Sequence, residues 1–419
     1  MEPSTLIRTA DIIMGQSPPG EACNNNGRGL PLLNGPTEYG PRHPTPVQFT
    51  TDPRKKAQPG DILFCVRGST TGRMNWADRE YAIGRGVAAI RHKTKPELQP
   101  LVRAVIEYGL PGLLAQATGS TFPNVSAAQL ANVWWPPLEE REQAAIAELF
   151  GALDDKIESN RRTSRTLEKL ARAIFRAWFV DFEPVKAKAA GARSFPSMPQ
   201  QAFDALPTRL VPSELGPIPE GWEVGTMGDI GRQRREKVSP EDTAEGTAYI
   251  GLEHMPRRCI ALSEWGVANA VTSAKSRFST GDILFGKLRP YFHKVGPAPM
   301  DGICSTDIVV FSSKKPEAVA WLLMAVSSDE FVSHANQTSA GTKMPRTNWK
   351  DMANFPMALP SAPLFVAFQE VATPMLDLIR QGIYESRKLA AMRDYLLPKL
   401  LSGEVRVGDA DGFMGAGGL

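Results

Sequence analysis

At 419 residues the chain has room for two domains or a few, and its 42% hydrophobic and 22% charged content is that of an ordinary globular protein, with a net charge of +3 too small to name a partner. Four scattered cysteines, Cys23, Cys65, Cys259 and Cys304, form no Cys-x-x-Cys pair. That argues against a disulfide framework or zinc site and suits a reducing cytosol. The N-terminus has no charged-then-apolar signal pattern, and no apolar run approaches the ~20 residues that span a bilayer.

The first 138 residues are mixed and turn-rich. Short β-type runs, Ile62-Leu63-Phe64-Cys65-Val66 and Val87-Ala88-Ala89-Ile90, are bounded by Gly, Pro and Asn clusters, the pattern of an α/β or α+β globule. From 139 to 179 there is no Gly or Pro except Gly151. There Ile146, Phe150, Leu153, Ile157, Asn160, Ser164, Leu167, Ala171, Ile174 and Trp178 recur at 4-3-4-3 spacing, a heptad seam. This predicts a helix of about 60 Å, with Asn160 and Ser164 as polar seam positions. Residues 184–214, rich in Ala, Pro, Lys and Ser, read as a linker. A second globule follows over 215–362, with a strand at Ile308-Val309-Val310-Phe311 and a helix over 318–326. From 363 to 403 a second seam holds Leu376, Ile379, Ile383, Ser386, Ala390, Leu397 and Leu400. Arg393 falls where an apolar residue is due, and Pro374 and Pro398 are expected to kink or interrupt this helix. Residues 404–419 read as a Gly-rich, disordered tail.

The chain says the same thing twice. Gly60-Asp61-Ile62-Leu63-Phe64 returns as Gly281-Asp282-Ile283-Leu284-Phe285. Asp11-Ile12 answers Asp229-Ile230, Lys95-Pro96 answers Lys315-Pro316, and Gly119-Ser120-Thr121-Phe122-Pro123 answers Gly341-Thr342-Lys343-Met344-Pro345. Ala131-Asn132 answers Ala353-Asn354, and Pro137-Leu138 with Gln143 answers Pro363-Leu364 with Gln369. A period this long is a duplicated domain, not a solenoid repeat. It implies pseudo-two-fold symmetry and a target with two halves. The simplest arrangement packs the two helices antiparallel, with a globule at each end of a rod. A basic excess recurs in both copies, net +7 over 54–95 and net +4 over 275–294, as a polyanion contacted twice would require.

Several stretches together resemble the specificity subunit of type I restriction–modification systems. They are Pro217-Ile-Pro-Glu-Gly-Trp-Glu-Val-Gly-Thr-Met-Gly-Asp229, both Gly-Asp-Ile-Leu-Phe strands, Pro136-Pro137-Leu138-Glu139-Glu140-Arg141-Glu142-Gln143, Trp178-Phe179-Val180-Asp181-Phe182, and Leu396-Leu397-Pro398-Lys399-Leu400-Leu401-Ser402-Gly403. The first copy departs by lacking the Pro-x-Gly-Trp lead-in, and the Pro-Pro-Leu-Glu-Glu-Arg-Glu-Gln helix start decays in the second copy. The resemblance implies two pseudo-symmetric target-recognition domains, 1–138 and 215–362, joined by two long antiparallel coiled-coil helices. Each domain would read one half of a split, asymmetric site in double-stranded DNA. The helices would space the halves and dock two methyltransferase subunits. It further implies that this cytoplasmic chain is not an enzyme and has no cofactor or membrane partner of its own. S-adenosylmethionine, ATP and Mg2+ would belong to the methyltransferase and the restriction/translocase subunits.

No catalytic constellation competes. Gly281-Asp-Ile-Leu-Phe-Gly286-Lys287-Leu288 nearly spells a P-loop but lacks the Ser/Thr that would ligate magnesium. There is no Asp/Asn-Pro-Pro-aromatic methyltransferase motif, since Asn354-Phe355-Pro356-Met357 lacks the second proline. The five histidines are too dispersed for a helical metal pair, and Asp154-Asp155-Lys156 reads as a solvated helix face. The positive case is DNA contact. Arg67 and Arg73 follow the first strand motif, and Lys287, Arg289 and Lys294 follow the second, with Arg73 and Lys294 the best-matched pair. Arg85, Lys343 and Arg346 are further loop candidates, and Ser120, Thr121 and Asn124 are polar ones. Two rival functions remain: a DNA-modifying enzyme reading its own site, and a coiled-coil adaptor that binds only proteins.

Overall fold

The computed structural model describes residues 4–117, 123–268 and 273–408. The expected tail from 409 onward, and Ser120 and Thr121, lie outside the described residues. The chain forms two compact units, 1–158 with 388–419, and 159–387.

The first unit is built on a four-stranded antiparallel sheet in the order Ala10–Met14, Val87–His92, Ile62–Cys65, Met74–Trp76. Both faces of this sheet are covered. Ile62, Phe64, Ala88 and Ile90 pack with Leu101, Val102, Val105 and Ile106 of the helix Gln99–Ala115. Leu63, Cys65, Val87 and Ala89 pack with Leu33, Tyr81 and Ile83 on the other side. Burial on both faces is why these strands read as unbroken apolar runs rather than alternating ones. Leu33 and the Tyr81–Ile83 strand come from a five-stranded sheet in which Leu30–Leu33 runs parallel to Tyr81–Ile83.

The second unit repeats this plan. Its four-stranded sheet orders Gly231–Gln233, Ile308–Ser313, Ile283–Gly286 and Val295–Pro297. In its five-stranded sheet Ala248–Ile250 runs parallel to Gly302–Cys304. The apolar helix expected over 318–326 spans Val319–Val326 and is buried throughout the described core from Ala320 to Val326.

The most repeated words of the sequence are structural. Gly60 and Gly281 hold φ of +87° and +85°, a conformation that favours glycine. The aspartate that follows closes the turn: Asp61 Oδ2 accepts from Gln58 N at 2.7 Å, and Asp282 Oδ2 from Ser279 N at 2.8 Å. Each buried carboxylate also meets an arginine, but from different places. Arg91 reaches Asp61 with two bonds of 2.6 and 2.7 Å, whereas Arg234 reaches Asp282 at 3.3 Å.

Strand register corrects one correspondence. Ile12 lies opposite Ile90, which lies opposite Ile62; Gln233 lies opposite Phe311, which lies opposite Ile283. Asp11-Ile12 therefore corresponds to Arg232-Gln233, not to Asp229-Ile230. Asp229 instead caps the short helix Met227–Ile230, accepting from Thr226 N at 2.7 Å, and that helix corresponds to Leu6–Thr9.

Both long helices form, Glu140–Phe179 and Ala362–Ser402. The second continues through Pro374 and Pro398. A proline removes one backbone bond and crowds the preceding turn, and here packing holds the helix together regardless. The seams are the buried faces, and the pairing is antiparallel within each unit. In the first, Ile146, Phe150 and Leu153 share a core with Leu396, Leu397, Leu400 and Leu401. Glu142 faces Arg406, and Asp154 faces Arg393. In the second, Phe175 and Trp178 stack on Phe368, while Asn160 Nδ2 donates to Glu385 at 2.8 Å and Ser386 Oγ at 3.3 Å. The polar seam positions thus meet each other, and the misplaced Arg393 meets Asp154 at 3.0 Å.

Residues 184–214, expected as a linker, are folded into the second unit. Val185, Met198, Ala202, Phe203 and Leu206 are buried in its core. Lys188 Nζ ties the carbonyls of Phe203, Asp204 and Leu206. Phe182 stacks on Trp222 of the Pro-x-Gly-Trp lead-in at 5.5 Å.

Among the described residues one helix, Ala362–Ser402, is long and apolar enough by composition to cross a membrane, with a mean hydropathy of 1.3 in its most apolar stretch. The expectation that no segment reached this length overlooked that scattered charges leave the average high. Leu364, Phe365, Phe368, Ala372, Ile379 and Ile383 of this helix are buried in the core of the second unit.

Candidate nucleic-acid interface

In each unit three loops meet where the motif strand ends, and the same backbone bonds join them. Val66 N donates to Gly86 O at 3.0 Å, and Val125 N to Val66 O at 2.9 Å. Lys287 N donates to Asp307 O at 2.9 Å, and Thr347 N to Lys287 O at 3.1 Å. Gly68 N bonds Pro123 O as Arg289 N bonds Pro345 O. Cys65 N bonds Arg73 O as Gly286 N bonds Lys294 O. Isolated bridges pair Arg67 with Asn124 and Leu288 with Arg346. These bonds set the correspondence: Val66 with Lys287, Arg67 with Leu288, Gly68 with Arg289, Arg73 with Lys294, Gly86 with Asp307, and Asn124 with Arg346.

The side chains at matched positions differ. In the first unit Arg67, Arg73 and Arg85 are exposed. Arg67 and Arg85 line one cleft of about 530 Å³ with Ser17, Pro18, Cys23, Leu32, Asn34 and Gly86. Asn124 is half-buried, and its Oδ1 lies 3.5 Å from Arg67 Nε. In the second unit Lys343 and Arg346 are exposed, on a turn closed by paired bonds between Ala340 and Arg346. Arg346 Nε donates to Asp307 Oδ1 at 3.2 Å.

Lys287 and Arg289 are half-buried. Arg289 sits at φ +52°, matching Gly68 at +99°, so an arginine occupies a left-handed position where its counterpart is glycine. Its Nε is buried without a hydrogen-bond partner among the described residues. Held strain of this kind clusters at functional sites. Lys294 differs from its partner Arg73 in direction. Its Nζ donates to Leu252 O, and burial, with Arg257 nearby, lowers its pKa below the ordinary lysine value. The matched backbone pair thus carries one outward and one inward cation.

Arg257 was not singled out from sequence. Its guanidinium lies 3.9 Å from the Phe292 ring centroid, on the loop that holds Arg289. The Arg257-Arg258 pair after Pro256 was its only signal. Among the described residues no group of three or more His, Cys, Asp or Glu could hold a metal ion. Cys65 and Cys304 are buried, and burial pushes the Cys304 thiol up to about 12. The near-P-loop lies on the buried strand Ile283–Gly286, where no backbone is free to wrap a phosphate.

Residues 7–169 match the family of the type I restriction modification DNA specificity domain. The MjaX specificity subunit of Methanocaldococcus jannaschii is 36% identical over 165 residues, 39% of this chain and 38% of that relative. The type I restriction enzyme MjaIX specificity subunit of the same organism is 26% identical, over 69% of this chain and 64% of its own length. The chain thus spans less than two thirds of either. The type I restriction enzyme HindI specificity subunit of Haemophilus influenzae is 22% identical over 409 residues, covering 84% of this chain and 88% of that one. The crystal structure of a type I restriction-modification S subunit from M. genitalium is similar in fold, with a TM-score of 0.56 at 16% identity over 95% of each chain.

Proposed function

We propose that this chain belongs to the specificity subunits of type I restriction–modification systems, to which it is similar in sequence and fold, and that it reads a split, asymmetric site in double-stranded DNA, one half with each unit. The observation that carries the reading is the pair of matched loop clusters. One scaffold is built twice, and the cationic and polar groups mounted on it differ between copies. A protein that bound DNA by charge alone would need no such divergence. One that read two different half-sites would require it. Arg67, Arg73, Arg85 and Asn124 are proposed as the contacts of the first unit, with Ser120 and Thr121 on the same stretch of chain. Lys287, Arg289, Lys343 and Arg346 are proposed for the second. Lys294, turned to a carbonyl, supports the loop that presents them.

The chain acts without chemistry of its own in this reading, in the cytoplasm and away from any membrane. Two methyltransferase subunits bring S-adenosylmethionine, and restriction/translocase subunits bring ATP and Mg2+. The long helices dock these partners and space the half-sites. They expose apolar side chains that the chain itself does not cover: Leu170, Val366, Leu378, Tyr384 and Tyr395 are 41–58% exposed. The test is methylation mapping with the assembled complex. A split motif whose two halves differ supports the reading. Methyl transfer by the purified chain alone would favour a self-sufficient enzyme. A complex whose DNA affinity does not change with salt would favour a protein-only adaptor.

A further inference from the structure

We propose that Asn34 is a base-reading residue of the first unit, specific for adenine, with Gln48 and Gly84 as the groups that aim it. The inference rests on the DNA-recognition reading and deepens it. Asn34 follows the strand Leu30–Leu33, so the parallel pairing of that strand with Tyr81–Ile83 brings it to the loop that bears Arg85. It is exposed, and it lines the cleft of about 530 Å³ that Arg67 and Arg85 also line.

Its side chain is aimed rather than loose. Asn34 Nδ2 donates to Gln48 Oε1 at 3.0 Å. The loop Gly84-Arg85-Gly86 closes on the same residue. A Cβ at Gly84 would stand 2.2 Å from Asn34 Oδ1, and one at Gly86 would stand 2.1 Å from Asn34 O. Neither glycine has an unusual φ to explain it, since neither is among the positive-φ positions. Their smallness makes room for Asn34. The bond to Gln48 uses one amide proton. Oδ1 and a second N–H remain. An acceptor beside a donor is what the major-groove edge of adenine, with its N6 donor and N7 acceptor, pairs with. The arginines on either side supply the cationic setting that holds DNA against the cleft.

The second unit lacks this device. The parallel pair there places Ile250 against Cys304 where the first unit has Leu33 against Ile83, so Gly251 stands at the position of Asn34. The reading therefore predicts an effect confined to one half-site.

The experiment uses the assembled complex with Asn34→Ala, Asn34→Asp and Gly84→Ala, read by methylation mapping and by affinity for duplexes carrying each base pair at each position. Asn34→Ala and Gly84→Ala are expected to lose roughly 5–150-fold of discrimination at one A·T pair of one half-site. Asn34→Asp, which replaces the donor with an acceptor, is expected to shift preference at that position towards C·G, whose N4 donates. A purely structural role would not change which base is preferred. Unchanged preference in both Asn34 variants overturns the inference, as does relaxation spread evenly over both halves, or a pair of half-sites of which neither holds an A·T pair sensitive to residue 34. If the wild-type complex reads no split site, the DNA-recognition reading falls and this inference with it. If the wild type reads one and the variants read it alike, only the inference falls.

Discussion

Arg289 and Gly68 occupy one backbone position in two copies of one loop, both left-handed, and only the glycine adopts that conformation freely. Placing arginine there costs on the order of 1 kcal/mol, and its Nε is buried unpaired besides. Arg289→Gly is therefore expected to raise the unfolding free energy by about 1 kcal/mol while weakening DNA binding by the assembled complex. A phosphate contact would show as a salt slope reduced by about one unit. Lower stability with unchanged affinity would mark the arginine as structural. A second pair shows one job done by two chemistries. His92 Nδ1 accepts from Lys95 N at 2.9 Å, and in the second unit Ser313 Oγ accepts from Lys315 N at 3.2 Å. Only the histidine titrates. Burial lowers its pKa, so below the ordinary value of about 6.5 the unfolded chain takes up a proton that the folded one refuses. Stability is full above that pH and is lost as pH falls towards the depressed folded value. His293, also lowered by burial, adds to the same trend. His92→Ser should reduce the loss without abolishing it, as unfolding midpoints across pH 7 to 5 would show. The basic positions proposed for the site stand out in the sequence as charge after a repeated strand. The direction of Lys294 does not, because it depends on a carbonyl at Leu252, distant in sequence.

Elements were more legible than residues wherever periodicity carried the signal. The heptad seam of Glu140–Phe179 needs only spacing, and its buried positions follow it. The second helix is not interrupted at its prolines, because proline is a local cost and seam packing is a sum over many contacts. The expected linker was misjudged because its apolar residues, Val185, Met198, Phe203 and Leu206, are sparse among polar ones and bury only against the rest of the unit. The Asp11-Ile12 match failed because two letters recur by chance, while strand register cannot slip by three residues without turning every side chain over. The off-pattern Arg393 makes the seam testable. Its side chain and that of Asp154 are 24% and 21% exposed and pair at 3.0 Å. Asp154→Leu alone should destabilise by about 1–2 kcal/mol, because it removes one of the two carboxylates that Arg393 pairs with and leaves Asp394 as the other. Asp154→Leu with Arg393→Leu should recover most of that. A double variant as unstable as the sum of the singles would show that the pair itself stabilises the seam.

The molecule as a whole divides its sequence between what is shared and what differs. Shared are the Gly-Asp turn, the doubly covered strands and the backbone bonds that gather three loops. Different are the groups mounted on them. In the first unit these are Arg67, Asn34 and Gly86, and in the second Leu288, Gly251 and Asp307, the last paired with Arg346. Symmetry of scaffold with asymmetry of surface predicts independent reading. Replacing residues 1–138 with the matching domain of another family member should change one half of the recognised sequence and leave the other as it was. The junction follows Leu138, which is buried with Leu130, Val133 and Trp135 against Ile146, Ala147 and Phe150 of the long helix. An incoming domain must therefore present apolar side chains of similar volume there, since a cavity left by one lost leucine costs about 2–5 kcal/mol. A chimera that meets this condition, assembles, and shifts only one half-site in a methylation map supports independent reading. A chimera that assembles and shifts both halves would mean that the two units read the site together, and that the matched loop clusters are parts of one surface.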